Sequence, residues 1–249
     1  MTGIKRISDT FAGLKERGEK GLITYITAGY PTPGHTLDLL KTLADSGSDL
    51  IEIGVPFSDP MADGPVIQHS SQQALAGGIR LDEIFDMAGR FRSHTGVPVL
   101  LMTYYNPVFR RGKENFARDT RDSGIDGLII PDLPPEEDGD LRGICRKRGL
   151  CLVPLAAPTS TERRLEMIAA RGEGFIYCVS VTGVTGSRNE IKTDLKSFSQ
   201  RMRACTGSPL ALGFGISGPE MARKLSAGFD AVVVGSAIVE AIEGSGGLS

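Results

Sequence analysis

The chain has 249 residues, 40% of them hydrophobic and 23% charged, with a formal net charge of −2. Near-neutrality removes any global attraction to nucleic acid or an anionic membrane, so an anion site has to be local. No apolar run reaches the roughly 18 residues of a membrane-spanning helix. The start, Met1-Thr-Gly-Ile-Lys-Arg-Ile-Ser-Asp9, lacks the apolar core of a secretion signal. Cys145, Cys151, Cys178 and Cys205 form no Cys-x-x-Cys pair, which fits small apolar fillers in a reduced, cytoplasmic setting.

Along the chain one pattern recurs: a short apolar run, a turn rich in Gly, Pro or Ser, then an amphipathic stretch. An extra helix over 4–17 precedes the first strand and is expected to cover the bottom of the fold. Strands follow at 22–28, 49–54, 97–103, 127–130, 150–155, 174–179, 209–213 and 231–235. Between them the spacing predicts helices over 36–46, 81–93, 114–123, 136–148, 160–170, 195–205 and 219–227. Thr159-Ser160-Thr161-Glu162 and Ser217-Gly218-Pro219-Glu220 each offer a hydroxyl cap with an acid in the first turn, and Gly47, Gly124, Gly149 and Gly228 stand at helix ends. Eight βα units in one chain predict a (β/α)₈ TIM barrel, read as a single domain over residues 1–249. A doubly wound sheet would carry Gly-x-Gly-x-x-Gly after its first strand. Ala28-Gly29-Tyr30-Pro31 does not match.

Chemistry is concentrated in Glu52-Ile-Gly-Val-Pro-Phe-Ser-Asp-Pro-Met-Ala-Asp-Gly-Pro65. Strand alternation puts Ile51 and Ile53 on the helix side and turns Glu52 into the barrel. There desolvation raises a carboxyl toward neutrality and fits it to give and take a proton. The competing reading is a Glu neutralised by a buried cation, although no Lys or Arg stands at a predicted strand end. Asp63 follows in a proline-stiffened loop. It reads either as a second functional carboxylate or as an Asx-turn or cap for the segment starting at Pro65.

Gly213-Phe-Gly-Ile-Ser217 follows the seventh strand and Gly235-Ser236 the eighth, where this fold often holds phosphate on backbone N–H groups and a helix N-terminus. Thr182-Gly-Val-Thr-Gly-Ser187 reads as a lid with further donors. The lysines lie away from strand ends, which argues against a Schiff base. The three histidines lack ligand spacing, which argues against a catalytic metal. Metal-free acid–base chemistry on a phosphorylated small molecule remains.

The same segments, with Met102-Thr-Tyr-Tyr-Asn-Pro107, Pro131-Asp-Leu-Pro134 and Gly183-Val-Thr-Gly186, resemble the tryptophan synthase alpha subunit family. The resemblance runs from the first strand to Ser236. It implies a TIM barrel that cleaves indole-3-glycerol phosphate to indole and glyceraldehyde 3-phosphate. The chain itself would carry no cofactor. Indole would pass to a pyridoxal-phosphate beta subunit in an α₂β₂ heterotetramer, met on loops including Asn106-Pro107 and residues 131–134. Carried over by position, the catalytic residues are Glu52, Asp63 and Tyr177. The phosphate positions are Gly186, Gly213, Phe214, Gly215, Gly235 and Ser236, and the lid threonine is Thr185. Phe214, Leu101 and Ile129 are the expected indole walls. A lyase that works without a partner, or a non-catalytic alpha-like chain that activates a beta subunit, stays open, though Glu52, Asp63 and Tyr177 argue against the latter. The family usually adds a long last helix, whereas this sequence closes with Glu243-Gly-Ser-Gly-Gly-Leu-Ser249. The final helix is thus expected to be short or missing. An apolar strip over the first and last strands should then be exposed, or covered by the N-terminal helix or another chain.

Overall fold

A computed structural model describes residues 1–179, 188–213, 216 and 218–244, with residues 188–194 in backbone only. In chain order its helices and strands are α1 (Gly3–Arg17), β1 (Gly21–Thr27), α2 (Thr36–Asp45), β2 (Leu50–Gly54), α3 (Pro65–Ala76), α4 (Leu81–Arg92), β3 (Val99–Met102), α5 (Tyr105–Arg111), α6 (Lys113–Asp122), β4 (Gly127–Ile129), α7 (Gly139–Lys147), β5 (Cys151–Val153), β6 (Leu155–Ala156), α8 (Glu162–Ala169), β7 (Ile176–Val179), α9 (Arg188–Cys205), β8 (Leu210–Gly213), α10 (Pro219–Leu225), β9 (Ala231–Val234) and α11 (Ser236–Gly244).

All strand pairs are parallel, in the order β5-β4-β3-β2-β1-β9-β8-β7-β6. The two ends of this order are one chain segment, because only Pro154 separates β5 from β6. The expected single strand over 150–155 is therefore two. Proline has no N–H to give a ladder. Its carbonyl still accepts from the Tyr177 amide (3.0 Å), so the segment bonds to β4 before the proline and to β7 after it. The sheet closes as the predicted barrel. Parallel strands covered by helices bury both faces.

Two apolar layers result. Ile51, Ile53, Val99, Leu101 and Leu128 pack outward against Leu40, Phe85, Phe91 and Phe116 of the helices. Leu50, Leu100, Met102 and Ile129 point inward, with Ile23, Tyr25 and Tyr177. Leu101 is thus on the helix side and is not an indole wall. Its register partner is Ile53, and alternation turns Leu100 inward instead. Ile129 does face the interior.

Helix α1 closes the bottom as expected. Its Ile7, Phe11 and Leu14 join the inner layer, and the Ile4 amide donates to Gly149 O at 3.2 Å. Thr161 caps α8 through its hydroxyl. Helix α5 was not among the predicted helices. Pro107 masks it in the sequence, yet there it occupies the first turn, where its missing N–H has no helical partner to lose.

Among the described residues an apolar strip lies where it is expected. A groove of about 620 Å³ opens between α2 and the α10–α11 segment, with Leu22 of β1 and Val234 of β9 beneath and Leu39, Leu43, Ile238 and Ile242 along its sides. Helix α11 lies against α3 and β1, and α1 lies at the barrel's bottom, not over this groove.

Candidate active site

Glu52 ends an inward row of β2, pairs across the sheet with Tyr25 and Leu100, and is 0% exposed. Among the described residues neither carboxyl oxygen has a hydrogen-bond partner. Complete burial pushes its carboxyl from 4.5 up to about 8, because the charged form is the one desolvation penalises. The alternative of a Glu held by a buried cation fails on this geometry.

Asp63 arrives from the loop 55–64. Its carbonyl accepts from Gln68 Nε2 (2.8 Å) and its Oδ2 from the Tyr104 hydroxyl (3.1 Å). Burial pushes its carboxyl up to about 6, with the Tyr104 hydrogen bond pulling the other way. It is not the cap of α3. That cap is Gly64, with Pro65 opening the helix.

Glu52 and Asp63 line one cavity of about 310 Å³ with Tyr25, Tyr177, Met102 and Ile216. Gly235, Ser236 and Ala237 complete one side of it, so the N-terminus of α11, where a helix has backbone N–H groups without helical partners and a positive dipole end, faces the cavity. Burial, with the nearby carboxylates adding to it, raises the phenols of Tyr25 and Tyr177 well above the usual tyrosine range. Both are neutral hydroxyls at physiological pH.

Two glycines make room for these rings. A Cβ at Gly54 would lie 2.1 Å from the Tyr25 hydroxyl, and one at Gly213 would lie 2.3 Å from the Tyr177 ring. Such contacts demand displacement of a packed aromatic. Gly213 therefore shapes the pocket through Tyr177. Of the remaining sequence-assigned positions, Thr185, Gly186, Phe214 and Gly215 lie outside the described residues.

Sequence reasoning did not single out Tyr25 and Tyr104. Tyr25 lay within reach of the alternation used for Glu52, since Ile23, Tyr25 and Thr27 share a strand face. Tyr104 sits just past β3, where alternation stops being informative. Among the described residues no group of three or more His, Cys, Asp or Glu is placed to hold a metal.

Comparison with known proteins settles the family. The family model described as tryptophan synthase alpha chain matches residues 11–247. The chain belongs to the tryptophan synthase alpha chain family.

It is 51% identical over 239 residues to the tryptophan synthase alpha chain of Caldanaerobacter subterraneus subsp. tengcongensis, spanning 96% of this chain and 91% of that one. To the alpha chain of Geobacter sulfurreducens it is 47% identical over 240 residues, with the same 96% and 91% coverage. Among solved structures, tryptophan synthase subunit alpha from Legionella pneumophila superposes with a TM-score of 0.89 at 37% identity, covering 98% of this chain and 92% of the other. A tryptophan synthase complex from Pyrococcus furiosus superposes with a TM-score of 0.82 at 39% identity, covering 91% of each. Membership gives the chain the family's reaction, cleavage of indole-3-glycerol phosphate to indole and glyceraldehyde 3-phosphate in tryptophan biosynthesis. The alpha chain needs no cofactor of its own, and pyridoxal phosphate belongs to the beta subunit with which it works.

Proposed function

We propose that Glu52 is the general acid–base of this lyase, Asp63 the acceptor for the indole N–H, and Tyr177 a neutral hydroxyl that orients substrate or Glu52. The observation that carries this reading is a fully buried Glu52, without a hydrogen-bond partner among the described residues, sharing a 310 Å³ cavity with Asp63, Tyr177 and the start of α11.

With its carboxyl raised to about 8, Glu52 is protonated at neutral pH. It gives its proton to indole C3, which leaves the ring as an iminium cation and Glu52 as a carboxylate. Ionised Asp63 accepts the N–H of that ring and stabilises the charge where it develops. The carboxylate of Glu52 then removes the proton of the C3′ hydroxyl. The carbonyl forms, the C3–C3′ bond breaks, and its electron pair restores neutral indole. Glu52 ends protonated, so no proton is lost or gained over the cycle.

The substrate phosphate sits at Gly213, Gly235 and Ser236, against the N-terminus of α11, where N–H groups and the helix dipole favour an anion. Gly186, Phe214 and Gly215 complete this cradle and Thr185 closes the lid, by family position. Leu100, Met102 and Ile129 replace Leu101 as the apolar contacts available to the indole.

The beta subunit docks at the mouth of the barrel. Exposed Phe109 of α5 and Met61 of the loop are apolar contacts suited to a partner, near Asn106-Pro107 and residues 131–134. We read residues 1–249 as one barrel domain. Among the described residues no helix is long and apolar enough to cross a membrane, and we place the enzyme in the cytoplasm.

Indole release from indole-3-glycerol phosphate, with and without beta subunit, tests the reading. Wild type should be weakly active alone and strongly activated by the partner. Glu52→Gln should lower kcat by about 10³-fold or more in both settings while substrate-analogue affinity stays within a few-fold. Wild-type turnover in Glu52→Gln would refute the assignment. Equal activity with and without partner would favour the partner-independent lyase.

A further inference from the structure

Tyr104 touches the loop 55–64 at three places. Its hydroxyl donates to Asp63 Oδ2 at 3.1 Å and accepts the Ala62 amide at 3.0 Å. Its ring stacks on Phe57, with centroids 5.0 Å apart and planes at 23°. Tyr104 is itself buried, immediately after β3, and is the N-terminal flanking residue of α5. The next residue is also fixed, because the Tyr105 amide donates to Asp132 Oδ1 at 2.8 Å.

We propose that Tyr104 is a positioning residue for Asp63. Its hydroxyl fixes one carboxylate oxygen and the adjoining backbone together, its ring anchors the earlier part of the same loop, and the second Asp63 oxygen is left for the indole N–H. This rests on the role given to Asp63 above.

The arrangement does work that the loop cannot do alone. Among the described residues Asp63 is otherwise held through its backbone, by its amide to Pro60 O at 3.2 Å and its carbonyl to Gln68. Those bonds leave the side-chain torsions free. A hydrogen bond to one oxygen from a buried, two-contact hydroxyl removes that freedom before substrate arrives, and positioning of this kind acts on the rate more than on affinity. It also favours the ionised acceptor, because a donor to a carboxylate stabilises the charged form. The other titratable groups facing Asp63 across the cavity are Tyr25 of β1, Glu52 of β2, Tyr177 of β7 and Glu240 of α11. Asp132 stands beyond Tyr104. None of these is a cation, so among the described residues the Tyr104 hydroxyl is the side-chain donor that favours the ionised form of Asp63 against the upward push of burial.

The test is the pH profile of indole release by the chain assembled with a beta subunit, for wild type, Tyr104→Phe, Asp63→Asn and the double variant. Tyr104→Phe keeps the ring on Phe57 and removes only the hydroxyl. We expect kcat to fall about 10-fold with KM within about two-fold, and the acid limb of the profile to move up by roughly one pH unit. In the Asp63→Asn background the same change should have no further effect, because the hydroxyl acts through that carboxylate. An unmoved acid limb in Tyr104→Phe would overturn the proposal, whether or not the rate falls. So would independent, multiplicative losses in the double variant. Wild-type turnover in Asp63→Asn alone would instead remove the role of Asp63, and its readout does not involve Tyr104.

Discussion

Two buried carboxylates divide the barrel into an end that holds it together and an end that does chemistry. Asp126, at the lower end of β4, is 1% exposed. It accepts from Arg6, from Arg92 Nη2 at 2.6 Å and from the Val99 amide at 2.9 Å. Arg92 in turn donates to the carbonyls of Gly124 (2.9 Å) and Val97 (2.8 Å). Helix α1 is thereby tied to the region between α4 and β3, with two guanidinium groups sharing one carboxylate; burial raises the Asp126 carboxyl, and Arg92, the Val99 amide and Arg6 pull against that rise. Glu52, near the upper end of β2, is 0% exposed and has no partner among the described residues. A buried charge is tolerated when paired and is expelled by protonation when it is not. With the role proposed for Glu52, the same residue class serves stability at one end and proton transfer at the other, and hydrogen bonding is what separates them.

The sharpest way to break this contrast is the pH dependence of folding. Glu52 has a folded value of about 8 against 4.5 for the free side chain. Between those values the unfolded chain has lost the proton that the folded chain keeps, so stability falls as pH rises through this window and levels off above it. Glu52→Gln does not titrate. The variant should match or slightly trail wild type below pH 4.5 and gain on the order of 4 kcal/mol relative to it above pH 8. Chemical denaturation of both proteins across that range measures this directly, and a constant difference would contradict an unpaired Glu52.

Asp126→Asn should behave in the opposite sense. It leaves Arg6 and Arg92 without their shared counter-charge and should destabilise by about 3 kcal/mol at neutral pH. The folded fraction should keep its kcat, because Asp126 lies outside the catalytic cavity. Denaturation midpoints together with indole release check both halves. A stable but inactive variant would mean that the lower end reaches the chemistry.

The sequence made the contrast half legible. Alternation through Leu50-Ile51-Glu52-Ile53 was enough to turn Glu52 inward, and the absence of cations at strand ends was enough to expect it unpaired. Parallel strands with covering helices followed from the same periodicity. The remaining features depend on distances that no local pattern carries. The outward placement of Leu101 follows from counting along 100–102 with the right phase, which is fixed by the Ile53–Leu101 register. The break at Pro154 reflects a lost donor that matters only because two different strands compete for that segment. The role of Tyr104 depends on a loop 41 positions away in the chain meeting its hydroxyl. The partners of Asp126 come from α1 and α4, and nothing in the local sequence around Asp126 identifies them.

The central claim, that the catalytic carboxyl is buried, unpaired and protonated at neutral pH, is tested most directly by following the Glu52 side-chain carboxyl by carbon-detected NMR as pH is raised, with Glu52→Gln to assign the signal. The account predicts a titration centred near 8, well separated from the surface glutamates. Titration at or below the ordinary 4.5 would show an ionised, stabilised carboxylate and would contradict it.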